Sequence, residues 1–323
     1  MKNFYFISSD IQDPYFNIAS EEYLLRQTTG YYIYLWRNAP AVIVGVNQNT
    51  PEEVNIAYTE QHGIKVVRRM TGGGAVYHDP NNICYTVIAP YNKEEDHYRV
   101  FTRPVIEYLN RLGVTAEFSG RNDIAADGKK ISGNAETVYG DRILHHGTLL
   151  FDTDMTALSQ ALKPNKLKME SKGIKSVRAR VTNIKECLGS PMTAQAFFDG
   201  LCDFFLRDCT PYTFSRRDME CIEKLVREKY ATFEWNVGRS PKGENVFEGR
   251  FSFGMFSLSF DTENGRVHNA RIHGDFFTGK DINELAEKLN GTAFEKRALT
   301  KAFDDVGDYI KGATAEEIIE RMF

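Results

Sequence analysis

Two arginines run straight into three glycines in Arg68-Arg-Met-Thr-Gly-Gly-Gly-Ala-Val-Tyr77. Glycine lets a backbone approach a phosphate closely, and guanidinium groups meet an anion with forked N–H donors. The segment lacks the Gly-Lys-Ser/Thr ending of a P-loop and the G-x-G-x-x-G register of a dinucleotide turn. Taken singly it fits a tight β-turn as well as a nucleotide loop. A second candidate, GRNDIAADGKKISGNAE (120–136), sets Lys129 and Lys130 after a flexible Asp-Gly and beside small residues. In a strand the two lysines point to opposite faces, one toward a site and one toward solvent; a fully solvated hairpin edge is the alternative. A third is His145-His146-Gly147 in ILHHGTLLF (143–151), where the histidines are either proton carriers or hydrogen-bonded sheet residues.

These groups need a frame. YYIYLW (31–36) and AVIVGV (41–46) are aromatic and β-branched runs separated by Arg37-Asn38-Ala39-Pro40, which predicts two strands joined by a turn in one sheet. IKVVRRM (64–70), AVYHD (75–79) and ICYTVIAP (83–90) predict further strands. KKISGNAE (129–136) and ILHHGTLLF flank Tyr139-Gly140-Asp141 as a hairpin. Helices are predicted over 16–27, 99–112, 192–208 and 216–229, the last opened by Ser215 and Asp218 in a capping-box pattern. Trp235 to Glu248 is rich in Gly, Pro and polar residues and marks a domain boundary. Beyond it, FSFGMFSLSF (251–260) and RVHNARIHG (266–274) meet at Glu263-Asn264-Gly265 as a hairpin, and short helices follow Asp281, Glu295 and Thr314.

A formal charge of −4 excludes a general polyanion binder, because nucleic-acid affinity rests on clustered Lys and Arg. The basic run 163–180 is then a local feature, either a loop over the site or a solvated face. With 42% hydrophobic and 26% charged residues the composition is that of a globular enzyme, and no apolar run reaches the roughly 20 residues of a membrane span. Met1 to Asp10 offers no signal-peptide core, so the expected location is the cytoplasm. The five cysteines are scattered and never in a C-x-x-C pair, which predicts reduced packing thiols rather than a disulfide frame or zinc site.

Taken together, RRMTGGGAVYHD, GRNDI with KISGNA, HHGTLL and KGIKSVRARVTNI resemble the lipoate-protein ligases in order and spacing, with EWNVGRSP closing the catalytic part. The resemblance spans nearly the whole chain. It implies an α+β fold: a mixed-sheet catalytic domain of biotin/lipoate ligase type over residues 1–245, and a small α+β accessory domain over residues 249–323. The implied chemistry is ATP-dependent activation of lipoate to lipoyl-AMP. Transfer follows, to the acceptor lysine of lipoyl domains of 2-oxoacid dehydrogenases or of the glycine cleavage H protein. ATP and Mg2+ are the implied cofactors, with the metal ligands left open, and the implied enzyme is a monomer.

By position, the resemblance makes Lys130 the catalytic lysine, in contact with both ATP and lipoate. It puts Arg69, Gly74, Ala75, Val76, Tyr77 and His146 at the adenylate, and Gly72, Gly73 and Gly147 at the lipoate. Val46 stands where the family usually has Arg, and Asn81 where it often has Gly. A greasy acyl tunnel lined by AVIVGV, AVY and ICYTVIAP should also admit octanoate. Two enzyme alternatives are an octanoyltransferase, which needs a cysteine nucleophile absent from the ligase-like region, and a transferase that accepts preformed lipoyl-AMP. A non-catalytic lipoate carrier would need neither Lys130 nor Arg69. A small domain that shields an anhydride and then admits a protein is expected to move between the two steps.

Overall fold

Alternating burial along the strands builds the frame, because each strand sends successive side chains to opposite faces. In the strand Tyr31–Arg37 (β2), Leu35 joins one core while Tyr34 and Trp36 join the other. The computed structural model describes residues 4–163, 181–238, 245–263, 266–294 and 296–323. The basic run predicted over 163–180 and the turn at 264–265 lie largely outside these residues.

The large sheet also contains Phe4–Ser8 (β1), which sequence reading passed over, and later strands introduced in turn. Ala41–Val44 (β3), Lys65–Arg68 (β4) and Val76–His78 (β5) form a separate three-stranded sheet, in the order β4-β3-β5. The expectation that β2 and β3 share a sheet is therefore corrected. Residues 38–40 carry the chain from one sheet to the other instead of closing a hairpin. Alternating apolar residues specify a strand but not its partner.

The large sheet continues with Asn82–Pro90 (β6), Ala116–Ser119 (β7), Asp123–Ala126 (β8), Lys129–Tyr139 (β9), Arg142–Leu150 (β10) and Thr210–Pro211 (β11). It has eight strands in the order β11-β1-β2-β6-β10-β9-β8-β7. The predicted β9–β10 hairpin turns at Gly140, whose φ of 59° suits glycine. Helices His97–Arg111 and Ala194–Leu206 cover one face through Val105, Leu109, Phe197 and Leu201. Helices Pro14–Gln27 and Arg216–Leu225 cover the other through Ile18, Leu24 and Ile222, and the Ser215–Asp218 capping box is present. No helix among the described residues is long and apolar enough to cross a membrane.

The second unit is a three-stranded antiparallel sheet of Asn245–Phe251 (β12), Gly254–Glu263 (β13) and Arg266–Gly274 (β14). Helices Ile282–Leu289, Lys296–Ala302 and Ala315–Met322 pack on it around Phe256, Leu285 and Phe303. Strand β12 was missed in the sequence, because its glycine and alternating charges blur the period-two pattern. The unit rests on the catalytic part. Gly274 N donates to Asn47 O (2.6 Å) and Arg121 Nη1 to Phe253 O (3.0 Å).

Candidate active site

A cavity of ≈ 180 Å³ opens between the two sheets of the catalytic part. Its floor crosses four adjacent strands of the large sheet: Lys130, Gly133 and Ala135 on β9, His146 and Thr148 on β10, Cys84 on β6, and Trp36 on β2. Its roof is the small sheet and the glycine loop, with Ile43, Arg69, Gly73, Gly74, Ala75 and Val76. Each step across a sheet is about 4.8 Å, so β9 to β2 spans about 14 Å, room for a medium-length acyl chain laid across the strands.

Lys130 stands at the β9 end. Its Nζ pairs with Asp123 Oδ1 of β8 at 2.7 Å. A Cβ at residue 133 would come within 2.8 Å of that Nζ, so Gly133 keeps the space the ammonium occupies. Lys129 is exposed while Lys130 lines the cavity, as strand alternation predicts. Gly147 is glycine for a similar reason, since a Cβ there would stand 2.1 Å from Asn134 Oδ1 and 2.6 Å from the Tyr85 ring.

His146 is held at both nitrogens. Nδ1 contacts Glu21 Oε1 at 2.9 Å and Nε2 contacts Thr71 Oγ1 at 2.8 Å. The Glu21 carboxylate can only accept, so Nδ1 carries the proton toward it, and Thr71 Oγ1, which accepts from Arg69 Nε, is free to donate its hydroxyl proton to Nε2. Glu21 is buried and also accepts from Thr86 Oγ1, which in turn accepts from Trp36 Nε1. One hydrogen-bonded chain thus ties the glycine loop to the far wall. Glu21 escaped sequence reading because it lies 125 residues from its partner. Its only sequence signal was a pair of acids in an otherwise apolar helical stretch, NIASEEYLL.

The two arginines are both buried. Arg69 is buried and gives its N–H groups to Thr71 Oγ1, Ile43 O, Gly72 O and Gly74 O. Burial lowers its pKa to about 10, so it remains charged at neutral pH. In this structure it shapes the glycine loop from within and lines the cavity roof. Arg68 is buried on the other side of β4, against carbonyls of Gly45, Gln48 and Asn236.

Two further residues are placed away from the cavity. A Cβ on Gly72 would meet Phe276 O at 2.3 Å, so this glycine admits the small unit's backbone. The Tyr77 side chain packs with Val42, Val44 and Val54 behind the small sheet, because alternation turns it away from the face that Val76 presents. Gly73, Gly74, Ala75, Val76, Lys130, His146 and Gly147 are brought together as expected.

The far wall is neutral. Burial drives the His78 pKa down to about 3, with the nearby His146 and Arg69 adding to the effect. Burial, reinforced by the charge of Glu21, pushes the Cys84 thiol well up. Cys84 is the cysteine that lines the cavity, and a thiol kept protonated is in the wrong state for an acyl-accepting nucleophile. Among the described residues no group of three His, Cys, Asp or Glu side chains could hold a metal ion.

Comparison with known proteins places the chain in a family. Residues 13–206 match the family described as Lipoyl protein ligase A/B catalytic domain, and residues 240–322 match Bacterial lipoate protein ligase C-terminus. The chain is 39% identical over 326 residues to the lipoate-protein ligase LplJ of Bacillus subtilis, covering 98% of both chains. Among solved structures it is similar to P. falciparum LipL1 in complex with lipoate, at 27% identity and a TM-score of 0.77 over 94% of each chain. It is also similar to a lipoate-protein ligase A bound with ATP, at 26% identity and a TM-score of 0.63, over 74% of this chain and 99% of that one.

Proposed function

This chain belongs to the lipoate-protein ligase family and is an ATP-dependent lipoate-protein ligase, and from that premise we propose how its own residues carry the two half-reactions. The observation that supports the reading is the cavity laid across four strands with Lys130 at one end and a neutral wall at the other. Lipoate lies across the sheet with its carboxylate at Lys130 and its ring toward Trp36 and Cys84. The cavity's apolar lining offers about 0.8 kcal/mol per buried methylene, a term octanoate shares.

In the first step the carboxylate attacks the α-phosphate of ATP, and pyrophosphate leaves. Lys130 gives up Asp123 to hold the carboxylate and α-phosphate oxygens together and to offset the charge that builds between them. Backbone N–H groups of the Gly73–Val76 loop line the phosphate path, with the loop held open from within by Arg69. In the second step the acceptor lysine attacks the acyl carbon, AMP leaves, and Lys130 stabilises the oxyanion. His146, in the Nδ1–H tautomer fixed by Glu21, orients the loop through Thr71. Mg2+ would supply charge neutralisation for the leaving pyrophosphate, and Asp123, which pairs with Lys130 in this structure, is the carboxylate that would help to hold it.

The small unit lies on the glycine loop through Phe276 and covers the cavity during activation, when the anhydride must be kept from water. The acceptors are lipoyl domains of 2-oxoacid dehydrogenases or the glycine cleavage H protein, whose lysine must reach the same cavity.

Purified protein given lipoate, ATP and magnesium is expected to release pyrophosphate in a lipoate-dependent manner and to accumulate lipoyl-AMP without an acceptor. Absence of release, with transfer from supplied lipoyl-AMP intact, would reduce the enzyme to a transferase. A second outcome concerns the relay behind the cavity. Glu21→Gln should lower kcat/KM for lipoate about tenfold, the scale of a hydrogen bond to a charged group at roughly 1.5–3 kcal/mol. Steady-state kinetics decide it, and an unchanged kcat/KM would remove Glu21 from the account.

A further inference from the structure

Three ionisable side chains with no part in the chemistry above meet where the small unit rests on β9. Glu136 directly follows the cavity floor residue Ala135 and is only 6% exposed. Its Oε1 accepts from Lys311 Nζ of the small unit at 2.9 Å. His145 sits opposite Glu136 in the β9–β10 register and is completely buried. Its Nδ1 stands 3.9 Å from Glu136 Oε2, too far for a hydrogen bond. Among the described residues, both nitrogens of His145 and Glu136 Oε2 have no hydrogen-bond partner.

An imidazole and a carboxylate buried side by side with their mutual bond unmade is a costly arrangement unless another group satisfies the charge. Here that group comes from the other unit. Lys311 neutralises Glu136, and His145 is left neutral beside it. The remaining ionisable groups around His145 are Tyr98, whose ring meets it edge-on, His97 on the same helix, and His146 next along β10. Arg121 lies near Tyr98 and stacks on Phe277 of the small unit.

We propose that Lys311 is a positioning residue for the ligase reaction: through Glu136 it docks the small unit over the cavity, and a protonated His145 competes for the same carboxylate and loosens the dock. The proposal rests on the reading that the small unit covers the site during activation. Burial holds His145 below its ordinary value despite the opposing pull of Glu136. Burial alone would raise Glu136, but the Lys311 ammonium at 2.9 Å, with the imidazole of His145 nearby, brings the carboxyl below its usual range.

The direction of the pH effect follows. Undocking removes the Lys311 cation and leaves the Glu136 charge to favour the protonated imidazole, so the His145 pKa rises toward its ordinary value of about 6.5. The docked form then binds fewer protons near and below that pH. Docking is fully present above about 6.5 and is lost as pH falls through it. The Glu136 carboxyl titrates lower and contributes only in stronger acid.

The test places a donor–acceptor fluorophore pair, one on each unit of the full chain, and follows docking from pH 8.5 to 5.5 alongside ligase kcat/KM. Wild type is expected to lose docking about tenfold across that range. Lys311→Met should be undocked throughout, with kcat/KM about tenfold below wild type at pH 8 and converging with it at pH 5.5. Lys311→Arg should restore both. Docking that is flat with pH, or a Lys311→Met activity loss of the same factor at every pH, would overturn the proposal. Absence of lipoate-dependent pyrophosphate release from wild type would instead sink the parent reading, while the docking equilibrium could still be measured.

Discussion

Lys130→Ala is expected to lose both half-reactions by about 10³, the scale of removing one preorganised donor from a developing charge, while Lys129→Ala keeps most activity. The two lysines are adjacent in sequence and carry the same charge, so the difference rests wholly on geometry. Lys129 is exposed on the outer side of β9. Lys130 lines the cavity and pairs with Asp123 in the space that Gly133 leaves open. Both half-reactions should fall because the same ammonium meets the carboxylate and phosphate in the first and the acyl oxyanion in the second. Pyrophosphate release reads the first, and transfer from supplied lipoyl-AMP to a lipoyl domain reads the second. Equal losses from the two substitutions would sink the facing argument.

Arg69→Met should cost about 3–5 kcal/mol of stability together with most of the activity. The guanidinium is buried, and its N–H groups serve Ile43 O, Gly72 O, Gly74 O and Thr71 Oγ1. Removing it leaves those acceptors without a donor inside the protein and lets the glycine loop collapse onto the cavity. Lysine cannot reproduce the fork, so Arg69→Lys should recover little. Urea unfolding alongside activity separates two roles. A wild-type unfolding midpoint with activity gone would mean that Arg69 reaches for the ligand's phosphate after all.

Much of the cavity's lining was legible in the sequence because its parts are local. The glycine run, the Lys130 strand and His146-Gly147 each sit on a short element whose alternation already says which way a side chain points. What was not legible depends on partners distant in the chain. The runs at 31–36 and 41–46 are both sound strands, yet nothing in their period says that one pairs with β6 and the other with β4 and β5. That division is what creates a cavity with a floor and a roof. For Arg69 the sequence shows the charge but not the four acceptors around it in the fold. Gly72 was grouped with the ligand-lining glycines, and its reason lies in Phe276, some 200 residues on. The small unit's sheet begins at Asn245, inside the glycine- and proline-rich stretch read as the boundary.

The central claim is that lipoate is activated across the β9–β2 floor with Lys130 at the reacting atoms. The most direct test is a crystal structure with a non-hydrolysable lipoyl-AMP analogue. The account predicts the acyl chain lying from β9 toward Trp36 and Cys84, with Lys130 Nζ released from Asp123 and within hydrogen-bonding distance of the acyl and phosphate oxygens. An analogue bound with Lys130 still paired to Asp123, or with its acyl chain outside this cavity, would contradict it.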